Sequence, residues 1–149
     1  TRVHNGMLII EDESPWRWFG KRSTVNVRIS MPALNSLSLN GAGNATVAGI
    51  RGDAVALSLQ GAGNVTASGS TSALNARING AGNMQLQQLL AGDATVNVNG
   101  TGNMSVHVTG ALVAAVNGVG SITYAGQPTR LDTQVNGVGS ISPQDVVTQ

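Results

Sequence analysis

Cysteine is absent from the 149 residues of this chain. Without thiols the chain has no disulfide framework, no thiolate nucleophile and no zinc–thiolate centre. Charge is also scarce, since charged residues make up 10% of the chain, against about 25% in ordinary globular domains. The eight basic and seven acidic residues nearly cancel. This balance creates no strong field, so we expect neither nucleic acid nor an anionic membrane surface as a partner.

Aromatic residues and long apolar runs are equally sparse. The chain has two Trp, one Tyr and one Phe, which excludes a core built on bulky rings. No stretch approaches the roughly 18 consecutive apolar residues that a membrane-spanning helix needs, so we expect no membrane span in this chain. The length suits one domain that buries about two-thirds of its unfolded surface. Because the chain begins at Thr1 rather than Met, we expect that an upstream segment such as a signal peptide has been removed.

Glycine, by contrast, is abundant, and it recurs in one short phrase. The phrase is Gly-x-Gly preceded by Asn or Gln and followed by Asn or Ser, and its copies occupy residues 40–44, 60–64, 79–83, 99–103, 117–121 and 136–140. The first glycines lie 20, 19, 20, 18 and 19 residues apart. A fixed period near 20 residues indicates stacked repeats. The glycines that we assign to structural turns are Gly41, Gly43, Gly61, Gly63, Gly80, Gly82, Gly100, Gly102, Gly118, Gly120, Gly137 and Gly139.

Apolar and polar residues alternate on both sides of each phrase. The apolar column two residues before the first glycine is Leu39, Leu59, Ile78, Val98, Val116 and Val135. The column four residues after it is Ala45, Val65, Met84, Met104, Ile122 and Ile141. Such period-2 alternation predicts strands with one buried face. A second, looser turn that also contains glycine follows, so each repeat is predicted to be strand, tight corner, strand and loose corner.

Two architectures satisfy this pattern. Asn-Gly between alternating apolar runs predicts β-hairpins, which would build an antiparallel meander. The alternative is a single parallel β-helix or solenoid, right-handed by the usual chirality of parallel crossovers, with about 20 residues per coil. The sequence favours the solenoid, because hairpins would not require Asn or Ser on both sides of Gly-x-Gly in copy after copy. With coils stacked about 4.8 Å apart, Asn side chains could bond in a ladder, and glycine would let backbones approach closely.

The N-terminal segment differs from the repeats. Met7–Ile10 follows Asn5-Gly6 and predicts a short strand after a turn. An acidic run and then an aromatic–basic run follow, which indicates a loop. We therefore expect one all-β domain over 1–149. It comprises an N-terminal strand and aromatic loop or cap over 1–24 with a partial coil, six repeats over 25–140, and a C-terminal tail over 141–149.

Three of the four aromatic residues lie in that loop, and they are the best candidates for a functional contact. The candidates are Trp16, Arg17, Trp18 and Phe19. Exposed Trp and Arg are favoured at protein interfaces and at surfaces that stack on sugars. The alternative is that the rings fold over the first coil as its cap, because the ends of a stack expose unpaired strand edges.

The repeated phrase hydrophobic-x-hydrophobic-Asn-Gly-x-Gly-Asn/Ser resembles the bacterial family of autotransporter adhesins with a head GIN domain. Residues 117–128 and 135–141 are especially similar, as are residues 29–34 leading into the first phrase. The resemblance covers about residues 7–141. It implies a β-helical protein exported to the periplasm, the outer-membrane surface or the extracellular space, with an export signal upstream. The family offers no catalytic motif to carry over.

No residue pattern predicts a catalytic residue, a metal site or a cofactor. Asp53, Asp93 and Asp132 stand at different distances from their glycines, so they do not form the carboxylate cluster of β-helical enzymes that cleave acidic polysaccharides. His4 and His107 fall in different parts of the chain, and a metal site needs three or four ligands. The Gly-x-Gly phrase lacks the third glycine and the following helix of a dinucleotide site.

We therefore predict a non-catalytic, exported, adhesin-like binding module of the bacterial cell envelope. Its expected partner is a glycan or another cell-surface ligand. The alternative is a structural module that self-associates into a homo-oligomer through its ends or its aromatic loop. A polysaccharide-cleaving β-helix enzyme is the third and least supported hypothesis.

Overall fold

The computed structural model describes residues 2–4, 7–10, 26–30 and 34–144, with side chains from residue 34 onward. This part of the chain is all-β. Its strands, in chain order, are β1 (Arg2–His4), β2 (Met7–Ile10), β3 (Asn26–Ser30), β4 (Ser36–Val108), β5 (Ala111–Ala125) and β6 (Arg130–Pro143). They form one sheet in the order β1-β2-β4-β5-β6, with β3 also paired to β4.

The three long strands pair in parallel and in register. Each places its phrase opposite the phrase of its neighbour, so that Asn99 lies opposite Asn117, which lies opposite Asn136. Hairpins would have paired these strands antiparallel, and the meander alternative is therefore wrong for them. Among the strands described, only β1 and β2 pair antiparallel.

Strand β4 is 73 residues long and returns beside itself. A straight strand of that length would extend about 240 Å. Instead, residues about one repeat apart are in contact. The side chains of Asn64 and Asn44, 20 residues apart, are hydrogen-bonded at 2.9 Å, and Gly80 lies against the backbone of Gly61. The period in the sequence is thus the spacing along the chain between neighbouring backbone segments.

The two short strands β2 and β3 continue this parallel pairing before the first phrase. β2, the short strand predicted from the sequence, lies opposite residues 36–39, and β3 lies opposite residues 44–48. Together they pair with the chain before and after the glycines of the phrase at residues 40–44. The repeat register therefore begins upstream of the first complete repeat.

The core consists of the columns that were predicted to face inward. From the first repeat through β5, the column before the first glycine is fully buried, and so is the column after it. The core is aliphatic, with Tyr124 and Ile141 packed partly buried against it. Within the described residues, no buried side-chain nitrogen or oxygen lacks a hydrogen-bond partner. A core of small aliphatic side chains accounts for the scarcity of aromatic residues.

The prediction that the inward-facing columns are buried is wrong for the first half of β6. Leu131 and Val135 are 46% and 42% exposed, whereas Leu112 and Val116, their register partners in β5, are fully buried. The reason is the position of β6 at the end of the sheet. Among the residues described, no further strand pairs with its outer edge. The apolar columns recur in every repeat, so the sequence does not indicate at which repeat their burial ends.

Candidate functional site

The first glycine of each phrase has a backbone conformation that other residues rarely adopt. Gly61 has φ 130° and Gly100 has φ 128°, and the equivalent glycines of the other phrases also have positive φ. The positive φ changes the direction of the chain at each phrase. The residues around the phrase are therefore presented at a corner.

From the second phrase onward, close backbone packing excludes a side chain at both glycines, and at the second glycine this is the only requirement. A Cβ atom on Gly63 would collide with the carbonyl oxygen of Gly43, and one on Gly102 would collide with that of Gly82. Neighbouring backbones therefore approach too closely at this position for any side chain. The corner is built from close backbone packing, with side chains only between and beside the glycines.

The residues that precede the first glycine form a hydrogen-bonded row along the sheet, which we call the amide row. Its bonded members are Asn79, Asn99, Asn117 and Asn136. Each Nδ2 donates to the Oδ1 of the Asn one repeat earlier, over 3.0, 2.9 and 3.0 Å. The predicted ladder of Asn side chains is therefore confirmed.

A second bonded row follows the second glycine, and we call it the Asn/Ser row. Its members are Asn44, Asn64, Asn83, Asn103 and Ser121. The Nδ2 atoms donate to the preceding Oδ1 over 2.9 to 3.3 Å, and the Ser121 hydroxyl donates to Asn103 over 2.7 Å. Both flanking rows are thus held in fixed register.

A third row lies between these two and consists of the central residue x of each phrase. This middle row is exposed throughout, and its members are Ala42, Ala62, Ala81, Thr101, Val119 and Val138. The preceding, central and following residues of a phrase have the same strand parity, so they project outward together. We call the three rows together the corner face. The repeated phrase predicted the polar flanking rows; the middle row was not predicted, although the same alternation indicates it.

The amide row leaves part of its hydrogen-bonding capacity unused. An Asn amide can donate two hydrogen bonds and accept two. In the ladder, Asn99 and Asn117 each donate one and accept one. Each therefore has one N–H and one lone pair left. The corner face thus combines an apolar middle with fixed, partly unused amides beside it.

A shallow depression of about 470 Å³ lies at the looser turn between successive repeats. Asp53 and Asp93 both line it, together with hydroxyl side chains such as Ser70. The Asp93 carboxylate accepts the backbone N–H of Ala111 at 2.8 Å. No His, Lys or Arg is among the described residues that line the depression. Asp132 is not among these residues, so two of the three carboxylates line one depression, and its described lining includes no basic side chain.

The family model described as "Putative auto-transporter adhesin, head GIN domain" matches residues 1–128. The chain belongs to the head GIN family. The match confirms the resemblance seen in the repeated phrase. A search of curated proteins found no match to this head GIN chain.

A crystal structure of a protein described as a "putative adhesin" from Bacteroides fragilis NCTC 9343 is similar to this head GIN chain. The two are 28% identical, with a TM-score of 0.74 over 80% of this chain. The match covers 56% of the Bacteroides protein, so the head GIN chain spans little more than half of that protein's length.

The described part of the head GIN chain was also searched for metal ligands and membrane-spanning helices. His107 is half-buried between Val106 and Val108, which point into the core. In the described part of the chain, no group of three or more His, Asp and Glu residues could hold a metal ion. The same residues include no helix that is long and apolar enough to cross a membrane.

The aromatic loop lies outside the described residues. The expectation that Trp16, Arg17, Trp18 and Phe19 form a cap or a contact therefore stays a prediction.

Proposed function

We propose that this head GIN chain is an exported, non-catalytic, adhesin-like module of the bacterial cell envelope that binds a glycan through the corner face. The observation that carries the proposal is the three-row geometry, in which an apolar row runs between two rows of bonded polar side chains. Family membership supports export to the periplasm, the outer-membrane surface or the extracellular space.

The chemistry of the corner face suits a sugar polymer. A pyranose ring presents an apolar C–H surface with hydroxyl groups around it, and a hydroxyl both donates and accepts hydrogen bonds. The middle row would contact the C–H surface, while the unused N–H groups and lone pairs of Asn99 and Asn117 would meet the hydroxyls. None of the six phrases contains a charged residue. We therefore expect a neutral glycan in preference to an acidic one.

Two observations support a role without catalysis. The depression that holds Asp53 and Asp93 has no basic side chain among its described lining residues. The Asp93 carboxylate already bonds the backbone of the next repeat, which is a structural use. A general acid–base mechanism needs a positioned donor and acceptor around a substrate, and the corner face presents amides, hydroxyls and methyl groups.

For the architecture, we propose a single domain over 1–149 wound as a right-handed parallel β-solenoid. Each repeat would form one coil of about 20 residues, with the partial coil of β2 and β3 before the six phrases. The parallel register of β4, β5 and β6 supports this winding, as do the hydrogen bonds between residues 18 to 20 positions apart. Right-handedness follows from the strong preference of parallel crossovers.

Titration calorimetry with neutral and acidic oligosaccharides of increasing length tests the function. We expect neutral oligosaccharides to bind, and Thr101→Lys to weaken that binding at least tenfold, because a long charged side chain then occupies the middle row. The paired variant Asn99→Leu/Asn117→Leu removes the unused amide groups and should weaken binding similarly.

The matched control is Gln87→Leu, which changes an exposed amide outside the corner face. It should leave binding unchanged. If no oligosaccharide binds the parent chain, or if the control loses as much affinity as the corner variants, the proposal is wrong.

A further inference from the structure

We propose that two copies of the chain pair along the outer edges of their β6 strands and form a closed antiparallel dimer with Val138 on the two-fold axis. This inference is independent of glycan binding. It starts from β6 as the end of the described sheet, where one edge pairs with β5 and no described strand pairs with the other. An open strand edge is a template for a further strand.

The exposed apolar side chains of β6 provide the driving force for pairing. Val138 is 74% exposed, and Val135 is 42% exposed although it stands in a column that is buried in the preceding repeats. Proteins commonly protect an open edge with charged side chains. Residues 133–143 contain none. No charge in this stretch repels a second copy, and Pro143, which lacks a backbone N–H, stands at its last position.

A second copy of β6 matches this edge in length, since both strands have 14 residues. At the other end of the described sheet, the outermost strand β1 has three residues and runs antiparallel to β2. Among the described strands, that end offers no long parallel edge for a head-to-tail stack. The self-complementary edge-to-edge pair is therefore favoured, and it closes at two copies.

One antiparallel register satisfies the sequence of β6. With Val138 opposite itself, Val135 lies opposite Ile141, which aligns the two core columns. Gly137 lies opposite Gly139. These are the two positions of the phrase that have no room for a side chain against the neighbouring strand, and in this register each of them again faces a glycine. A shift by one residue would place Val138 opposite a glycine and would join core-facing positions to outward ones.

The size of this contact predicts a weak dimer. The register pairs residues 133–143, which is eleven residues from each copy. A standard interface buries about 800 Å² per partner over 20–30 residues. At that ratio, eleven residues bury roughly 300–450 Å² per partner, which is below the range of stable complexes and in that of weak, transient ones. We therefore expect dissociation constants in the micromolar range or weaker.

The dimer would also extend the corner face. Val138 of one copy would lie beside its counterpart, and Asn136 would lie opposite Ser140 of the second copy. The middle row would then continue across the axis from one copy to the other. Pairing would double the length of the surface.

Cysteine cross-linking tests the register, because the chain has no native cysteine. Residues directly opposite in antiparallel strands have Cα atoms about 4.5–5.5 Å apart, within the range of a disulfide. We expect Val138→Cys to form a covalent dimer under mild oxidation at micromolar concentration. The control is Val119→Cys, which places a thiol in the same row one repeat earlier at 52% exposure. It should cross-link at least tenfold more slowly. Equal rates, or no cross-linking of Val138→Cys, would overturn the proposal.

Sedimentation velocity over a hundredfold concentration range tests the assembly itself. The parent should shift from monomer to dimer and no further. Val135→Lys places a charge in the paired edge and should weaken the dimer at least tenfold. Val113→Lys, at a site in β5 that is 43% exposed, should not change it. Circular dichroism of both variants checks that they are folded. A parent that stays monomeric, or that forms open-ended assemblies, would show that β6 does not pair in this way.

Discussion

At the scale of single residues, the second glycine of a phrase leaves no space for a side chain. A Cβ on Gly63 would lie under 3.0 Å from backbone atoms of Gly43, which cannot move aside without shifting the sheet. We expect Gly63→Ala to lower the free energy of unfolding by about 1–3 kcal/mol, the usual range for overpacking. Guanidinium unfolding followed by circular dichroism measures the change.

The control for this substitution is Gly52→Ala. A Cβ there would meet nothing within 4 Å, so the change should be neutral or stabilising by up to about 1 kcal/mol. If both alanine variants lose the same stability, close backbone approach is not what excludes side chains from the phrase.

The sequence predicted both functions of glycine in the phrase but not how they are distributed. Gly61 has positive φ and also lies too close to the backbone of Gly41 to carry a side chain, whereas Gly63 lacks positive φ and is required only by the close approach of Gly43. In each phrase, one glycine and one polar residue stand on either side of the central residue x. The close approach at both glycines arises only when neighbouring repeats pack, and it depends on distances that a single repeat does not contain.

At the scale of elements, the amide row has a gap at Gln60. This residue occupies the column between Asn40 and Asn79, and in the described part of the chain no hydrogen bond of the ladder passes through it. Its side chain is one methylene longer than Asn, which moves the amide out of register. We expect Gln60→Asn to extend the ladder and to stabilise the fold by about 0.5–1 kcal/mol, since an exposed hydrogen bond contributes little. The midpoint of guanidinium unfolding measures the gain.

Gln87→Asn is the matched control, because Gln87 is an exposed amide outside the rows. It should not raise the midpoint. If the control raises the unfolding midpoint by the same amount, the effect comes from the residue type Asn and not from the ladder.

The strand faces were largely predictable because period-2 alternation follows directly from strand geometry. Leu59, Met84 and Val98 are buried as predicted. Pairing direction was harder, since Asn-Gly is compatible with a hairpin as well as with a stacked corner. Only the regular polar positions on both sides of the glycines favoured parallel pairing, and the register of β5 with β6 confirms it.

At the scale of the whole molecule, the sequence did not indicate where the buried column ends. Val116 and Val135 stand in the same column, yet one is fully buried and the other is 42% exposed. Burial there depends on what lies on the far side of each strand, which is a property of the assembled sheet. The corner face has the same origin, since a row exists only once the repeats are aligned.

Stacked repeats also predict how a local defect spreads, because each repeat contacts only its neighbours. Ile78 is fully buried in the middle of the chain, so Ile78→Ala should cost about 2–5 kcal/mol. It should also speed amide exchange on both sides of the substitution. Ile141 is half-buried in the last strand, and Ile141→Ala should cost about 1 kcal/mol and speed exchange mainly within β6, which can fray alone. Hydrogen exchange at protein concentrations below dimerisation separates the two responses. If both variants lose the same free energy of unfolding and both speed amide exchange throughout the chain, the domain unfolds as one cooperative unit.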